Sequence, residues 1–327
     1  MNQVRLDVLI ARERLASIGW IPTRSEYFRH LPPPAMQVWL GDGGEPSVAD
    51  SVAQEDAAAG WTLETLGAAR QGVVQAQWLD AADATQRSQL FAGVATPGDS
   101  DADRFAWVHQ AMCRRGLRLR IGTESAGAEN RQGETVSLAL RRHAQAALEA
   151  PMLVVDVLPG THCILLETHE HGVDTGAVVQ NLEVHINLGA GATLQHLRVA
   201  TPAPDDRVVH RVHTRLDRGA RYDQALIACG SGYHLQRTEL DLHGAQACAR
   251  SGAALFAAGS AMEQQVEVLH VGAHTTSVVE SLALASGKAR GVVNAYSRIA
   301  AGADEASVRQ RLSGIPTEGQ PRLVLRP

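Results

Sequence analysis

Aromatic residues are scarce in this chain. They make up 4% of its 327 residues, so any core must be built mainly from Ala, Val, Leu and Ile. Stacked β coils with a narrow interior suit such residues, whereas two-sheet sandwiches lean on large aromatics. Basic residues are not massed either. The net charge is −5, the pI is about 6.3, and the pairs Arg114-Arg115 and Arg141-Arg142 are too short to form a patch. This excludes a general nucleic-acid binder. No apolar run approaches the roughly 20 residues needed to cross a bilayer. Arg5, Arg12 and Arg14 interrupt the segment where a secretory leader would be apolar. A cytoplasmic protein without a membrane partner is expected. The four cysteines, Cys113, Cys163, Cys229 and Cys248, stand far apart with no CxxC pair. That spacing supports neither a disulfide framework nor a four-thiolate zinc site. A GxxxxGK[ST] phosphate loop is also missing.

From about Met152 onward the chain is one short strand after another. Leu182 to Leu188 alternates apolar and polar residues and turns at Gly189-Ala-Gly-Ala192. Val208, His210, Val212, Thr214 and Leu216 share one face, with Arg207, Arg211, His213 and Arg215 on the other, as in a half-buried strand. Turn signals recur as far as Ala301-Gly302. Gly259, Gly272, Gly287 and Gly302 follow one another at 13, 15 and 15 residues. Regular strand-sized spacing marks a repeating β architecture.

The N-terminal part differs. Val4 to Ile18 reads as an amphipathic helix with Leu6, Leu9, Ile10 and Leu15 near one face, ended by Gly19. Residues 41–75 give weak structure signals. Ala81–Ala92 and Asp101–Arg114 read as helices, the second stopped by Gly116. Leu117–Ile121 and Val136–Leu140 are candidate first strands. The expected division is a helical or α/β region over 1–115 and a β region over 116–327.

Eleven of the 14 histidines lie between His162 and His274, which invites a metal hypothesis. His169 and His171 are the best local pair, being i and i+2, but Gly172 places them near a turn. His270 and His274 flank Gly272 and could converge across a corner, with solvated turn residues as the plainer reading. His210 and His213 point to opposite faces of a strand. Cys229 and Cys248 read as packing thiols in apolar strands.

One segment is more specific. His274-Thr275-Thr276-Ser277, followed by Gly287-Lys288-Ala289-Arg290-Gly291 and Asn294, resembles the signature region of the SufB/SufD family of the SUF iron–sulfur assembly system. Leu235 to Gly244 resembles that family's Arg-x-Glu strand closing on Leu-x-Gly, and Val184 to Arg198 its strand–Gly–Ala–strand–His pattern. Gly19 to Arg29 resembles the SufD entry motif, which favours SufD over SufB. The resemblance implies a mainly β fold, a right-handed parallel β-helix behind the N-terminal region. It implies a non-enzymatic scaffold subunit that pairs with a SufB-like subunit and a SufC-like ATPase. No cofactor is held stably; an iron–sulfur cluster passes transiently through the complex, on thiol and imidazole ligands near the β-helix junction.

Several positions depart from the family pattern. Val293 stands where Phe is usual, Ala295 where Gly is common, and Glu263-Gln264 where an Asp is typical. Family members continue with a Ser-His-Gly-Ala motif and a helical domain that grips SufC, whereas this sequence stops at Pro327, so it reads as a truncated or divergent member. A homodimer through the C-terminal rungs is a further expectation. The competing reading is a cupin-type metal enzyme with His169 and His171 as ligands. It lacks the Glu that should follow them, since only Asp174 is available. A carbohydrate-active β-helix would need aromatic platforms that the strand region does not supply.

Overall fold

The strand-and-turn rhythm winds into a parallel β-solenoid of about 7 turns. The structure is a computed structural model and describes residues 3–41, 60–67, 72–123, 135–171 and 176–327. Much of the weakly patterned 41–75 stretch, and the turn at Gly172 with Asp174, lie outside the described residues. The first part of the chain supplies α1 (Gln3–Ile18), α2 (Met36–Leu40), β1 (Trp61–Thr65), β2 (Val74–Asp80), α3 (Ala84–Leu90), α4 (Arg104–Met112), β3 (Arg115–Ile121), β4 (Thr135–His143) and β5 (Leu148–Glu149). After these the elements are strands: β6 (Met152–Val157), β7 (His162–Glu170), β8 (Val179–Leu188), β9 (Thr193–Thr201), β10 (Arg207–Leu216), β11 (Arg221–Cys229), β12 (Tyr233–Leu242), β13 (Cys248–Ala258), β14 (Ala261–His270), β15 (Thr276–Gly287), β16 (Arg290–Ile299), β17 (Ser307–Gly319) and β18 (Arg322–Arg326).

Alternate strands fall into two facing sheets. Sheet A runs β1-β4-β7-β9-β11-β13-β15-β17, and sheet B runs β18-β16-β14-β12-β10-β8-β6-β3-β2. Each rung contributes one strand to each sheet. Arg207 pairs with Val179, 28 residues earlier, and with Tyr233, 26 residues later. The 13–15-residue glycine spacing is therefore half a rung, one strand plus one corner. Pairing between the named strands is parallel except at the N-terminal end, where β1 lies antiparallel on β4 and β2 antiparallel on β3. Those two strands cover sheet edges that would otherwise be free.

The interior is made of in-register rows, such as Val184, Val212, Thr238, Val266 and Ala295. Trp61 and Tyr222 are buried in this interior, while other aromatics fasten the N-terminal layer to the outside of sheet B. Phe105 of α4 is the hub, with Trp39 at 5.1 Å, Trp20 at 5.3 Å and Phe28 at 6.0 Å, all edge-on. This cluster buries Val209, Tyr233, Leu235 and Val292 of sheet B. Each fully buried side chain of this size contributes roughly 1.5–3 kcal/mol. The N-terminal segment also reaches the late rungs. Gln265 Nε2–H donates to the Tyr27 carbonyl (2.7 Å), Arg290 to that of His30 (3.3 Å) and Arg326 to that of Glu26 (3.4 Å).

Three expectations need correction. Helix α1 buries Ala11 and Leu15 and leaves Leu6, Leu9 and Ile10 exposed, so of its expected apolar stripe only Leu15 packs. Gly19 does end it, at φ 72° with its N–H on the Leu15 carbonyl. Helix α4 stops at Met112, and Gly116 is the second residue of β3 rather than a helix terminator. A Cβ there would overlap the Leu90 side chain and crowd the Met152 carbonyl, so the glycine is needed for close packing. Strands β1 and β2 are an addition that the sequence pattern did not reveal.

Corner glycines serve the same end. A Cβ on Gly272 would fall well inside 3 Å of the Gly244 carbonyl group in the previous rung. Gly272→Ala is expected to push the two corners apart and cost about 2 kcal/mol. Urea unfolding checks this, and an unchanged midpoint would refute it.

Candidate functional site

Period-two strands send every second side chain inward, and here several of those side chains are polar. Glu167 of β7 is fully buried. It accepts hydrogen bonds from His169 Nε2, from His196 Nε2 (2.8 Å) and from Arg198 Nε and Nη2 (3.3 Å each). Burial pushes its carboxyl pKa up, but Arg198, His169 and His196 outweigh that and hold it well below the usual carboxylate range. Burial holds His196 neutral. With its Nε2–H spent on Glu167, its Nδ1 accepts from the Tyr222 hydroxyl at 3.0 Å.

Arg198 carries the network across to sheet B by donating to Gln236 Oε1 at 3.4 Å. Gln236 Nε2 donates to His210 Nδ1 (3.1 Å) and His234 Nε2 (2.7 Å). His234 Nδ1–H donates to the Cys229 carbonyl (2.6 Å), and His210 Nε2–H to Gln180 Oε1 (2.6 Å). Gln180 in turn donates to Glu149 (2.5 Å), which pairs with Arg142 at 2.7 Å. Burial depresses His210 well below its usual value and His234 to about 4. These imidazoles are therefore neutral, with one donor and one acceptor nitrogen each. Such a chain passes hydrogen bonds between the sheets without carrying positive charge on its histidines.

His169 is the exception. Its Nδ1 is buried and has no partner among the described residues. The ring lines a small cavity of about 30 Å³ together with His171, Asp206 and His210, room for a water-sized molecule. His171, just past β7, bonds through Nδ1 to Asp206 Oδ2 at 3.0 Å. His169 is thus a core residue rather than part of a solvated turn.

His270 and His274 do not converge. His270 is fully buried. Thr275 Oγ1 donates to the Gly272 carbonyl (3.1 Å), so it accepts from His270 Nδ1–H (2.8 Å). Burial keeps His270 neutral, so its Nε2 accepts from Ser277 Oγ (2.9 Å). His274 turns outward at φ 58° and meets Glu305 at 3.1 Å. The signature residues therefore build a corner. Gly287 closes β15 at φ 66°, Ala289 is buried, and Lys288 is exposed. Arg290 ties the rung to the His30 segment, and Gly291 leaves space for Leu323. Asn294 donates to Glu263 at 2.9 Å. Thr276 opens β15.

The outer face of sheet B carries a charged ladder. His213 bridges Glu183 (3.2 Å) and Glu239 (2.7 Å), while Arg211 and Arg237 bind the same carboxylates at 2.7 and 2.6 Å. Burial lowers the His213 pKa, but Glu239 and Glu183 prevail and lift it to about 9. His185, stacked on it at 4.9 Å, is driven to about 3 by burial and by His213. One ring of the pair holds its proton and the other does not. This ladder borders a cleft of about 480 Å³ that includes Tyr27, Asp241 and Arg298.

The cysteines do not gather. Cys113 and Cys163 are buried and burial pushes both thiols up to about 12. Cys229 and Cys248 lie on the outer face of sheet A, half-exposed rather than in the core. Among the described residues no group of three or more His, Cys, Asp or Glu could hold a metal ion. The sequence reading missed Glu167, Arg198 and Gln236. The signal was their inward phase, visible where His210 alternates with Val208 and Val212.

A two-sheet parallel solenoid with a polar interior network is not a cupin. A cupin needs a closed antiparallel barrel, whereas the strands that carry and flank His169 pair in parallel. Residues 140–314 match the family model described as "SUF system FeS cluster assembly, SufBD core domain". The chain belongs to the SufB/SufD family, and its role lies in SUF iron–sulfur cluster assembly. No curated protein matches the chain. No helix among the described residues is long and apolar enough to cross a membrane.

Proposed function

We propose that this chain is a SufD-like scaffold subunit, with no turnover of its own, acting beside a SufB-like subunit and a SufC-like ATPase in the cytoplasm. The observation that carries the reading is the family match over a parallel β-solenoid. The resemblance of Gly19 to Arg29 to the SufD entry motif supports SufD over SufB, and the four free thiols suit a reducing compartment.

The iron–sulfur cluster is cargo on this reading. Cys113 and Cys163 are inaccessible thiols and no ligand set is assembled within the described chain, so cluster ligands are shared with the partner. Anaerobic co-expression with SufB-like and SufC-like subunits tests the proposal. The expected result is a stable complex on affinity purification and no metal retained by the isolated chain. Failure to co-purify with a SufB-like subunit, or a stoichiometric cluster on the chain alone, overturns it.

A further inference from the structure

The outer face of sheet A carries an apolar patch, bordered by charged residues, that is uncovered among the described residues. Leu197 is 38% exposed, and Ile227 and Phe256 are each 41% exposed. The three stand on the neighbouring strands β9, β11 and β13, and exposed apolar side chains gathered in this way suit an interaction site. The centre of the face is formed by the outward residues of two neighbouring strands, β11 and β13.

Their cross-strand registers pair opposites. Asp223 lies beside Arg250, Ala225 beside Gly252, Ile227 beside Ala254, and Cys229 beside Phe256. At each position the two strands offer either opposite charge or one large and one small side chain, apart from the Ala–Gly pair, where both are small. Among the described residues neither Asp223 nor Arg250 forms an ion pair. Gly252 is not required by its own fold. A Cβ there would meet only the Gln224 carbonyl, at an ordinary 3.7 Å, and its φ is not positive. A glycine inside a strand weakens it and often marks the close approach of another backbone.

The geometry points to a second copy of this chain as the occupant, docked face to face across a two-fold axis. An axis parallel to the strands and midway between β11 and β13 lays β11 of one copy on β13 of its partner with the register retained. Each large side chain then meets a small one, Asp223 meets Arg250 twice, and Ala225 meets Gly252 where the sheets come closest. Self-complementarity of this kind is what an isologous interface requires. One rung out, Val199 faces Leu282, whereas Leu197 faces Glu280, which confines the best contact to the centre and makes the dimer a modest one. The scaffold reading rests on the family match and not on this face, so failure here leaves it untouched.

Sedimentation velocity from 1 to 200 µM tests it. The expected result is a reversible dimer of twice the 34.9 kDa chain mass. Asp223→Arg and Arg250→Asp each place two like-charge contacts in the interface and are expected to weaken dimerisation at least about tenfold. The double variant restores both pairs and is expected to return within about threefold of wild type. Gly252→Arg is expected to abolish the dimer with little change in the thermal midpoint. A monomer at 200 µM overturns the proposal. So does a dimer indifferent to Gly252→Arg, or a double variant as weak as the single ones.

Discussion

Glu167→Ala is expected to destabilise the protein by about 3–5 kcal/mol, because it strands the Arg198 guanidinium inside the solenoid. Arg198 is 1% exposed, and its other hydrogen-bond partner is Gln236, at 3.4 Å. Three donors lose their acceptor at once: Arg198, His196 and His169. Glu167→Gln keeps the shape but not the charge, and should fall between Ala and wild type. Arg198→Met in the Glu167→Gln background removes both charges and should recover part of the loss, since a matched apolar replacement avoids the buried-charge penalty. Urea or thermal unfolding at neutral pH reads the series. A Glu167→Ala midpoint indistinguishable from wild type would show that water reaches Arg198 and that the interior is not sealed.

Glu263→Gln is expected to stabilise the protein, increasingly so as pH rises above about 4.5. Glu263 is fully buried under the N-terminal layer, and its Oε1 accepts from Gln265 (2.7 Å) and Asn294 (2.9 Å). Its Oε2 has no partner among the described residues. Burial pushes its pKa up from 4.5 to about 8, against the pull of Gln265 and Arg237. Between those values the folded state binds the proton more tightly than the unfolded chain, so stability falls as pH rises. The advantage of Gln over Glu should stay flat below about pH 4.5 and grow to roughly 3–5 kcal/mol by pH 8–9. His213, raised to about 9, adds stability that is whole below pH 6.5 and fades as pH passes 9, but it does so equally in both proteins. Denaturant midpoints of the two proteins across pH 4–9 isolate the Glu263 contribution. A difference that does not vary with pH would mean the carboxyl is solvated.

The coil was legible in the sequence because backbone and burial agree there. Alternation in Val208 to Leu216 fixes which residues face inward, and glycines fall where corners must turn. The signature around His274 and Gly287 was legible as a pattern, but its meaning was not. His270 proved to be the buried hub of that corner, and no rule of spacing says which of two flanking histidines turns in. The pairing of Glu167 with Arg198 joins strands 31 residues apart, and it becomes visible only once the register is known. Helix α1 misled for a related reason. Its most apolar residues, Leu9 and Ile10, lie away from α4, and the tight contact goes to Ala11 and Leu15 instead. Strands β1 and β2 are short edge pieces with mixed exposure, so they lack the alternation that revealed the others.

The bonds from Tyr27, His30 and Glu26 to the late rungs set an order of events during synthesis. Their partners follow 238, 260 and 300 residues later. At translation speeds of about 5–20 residues per second, the early segment waits roughly ten to sixty seconds for them. Early rungs can stack as they emerge, since each needs only its neighbour. Trp39 and Phe28 can pack on Phe105 and Tyr233 early, but the Glu26–His30 backbone cannot complete these bonds until the last coils exist. Once closed, the first thirty residues act as a clasp over the whole coil, and loosening the final rung loosens the beginning of the chain.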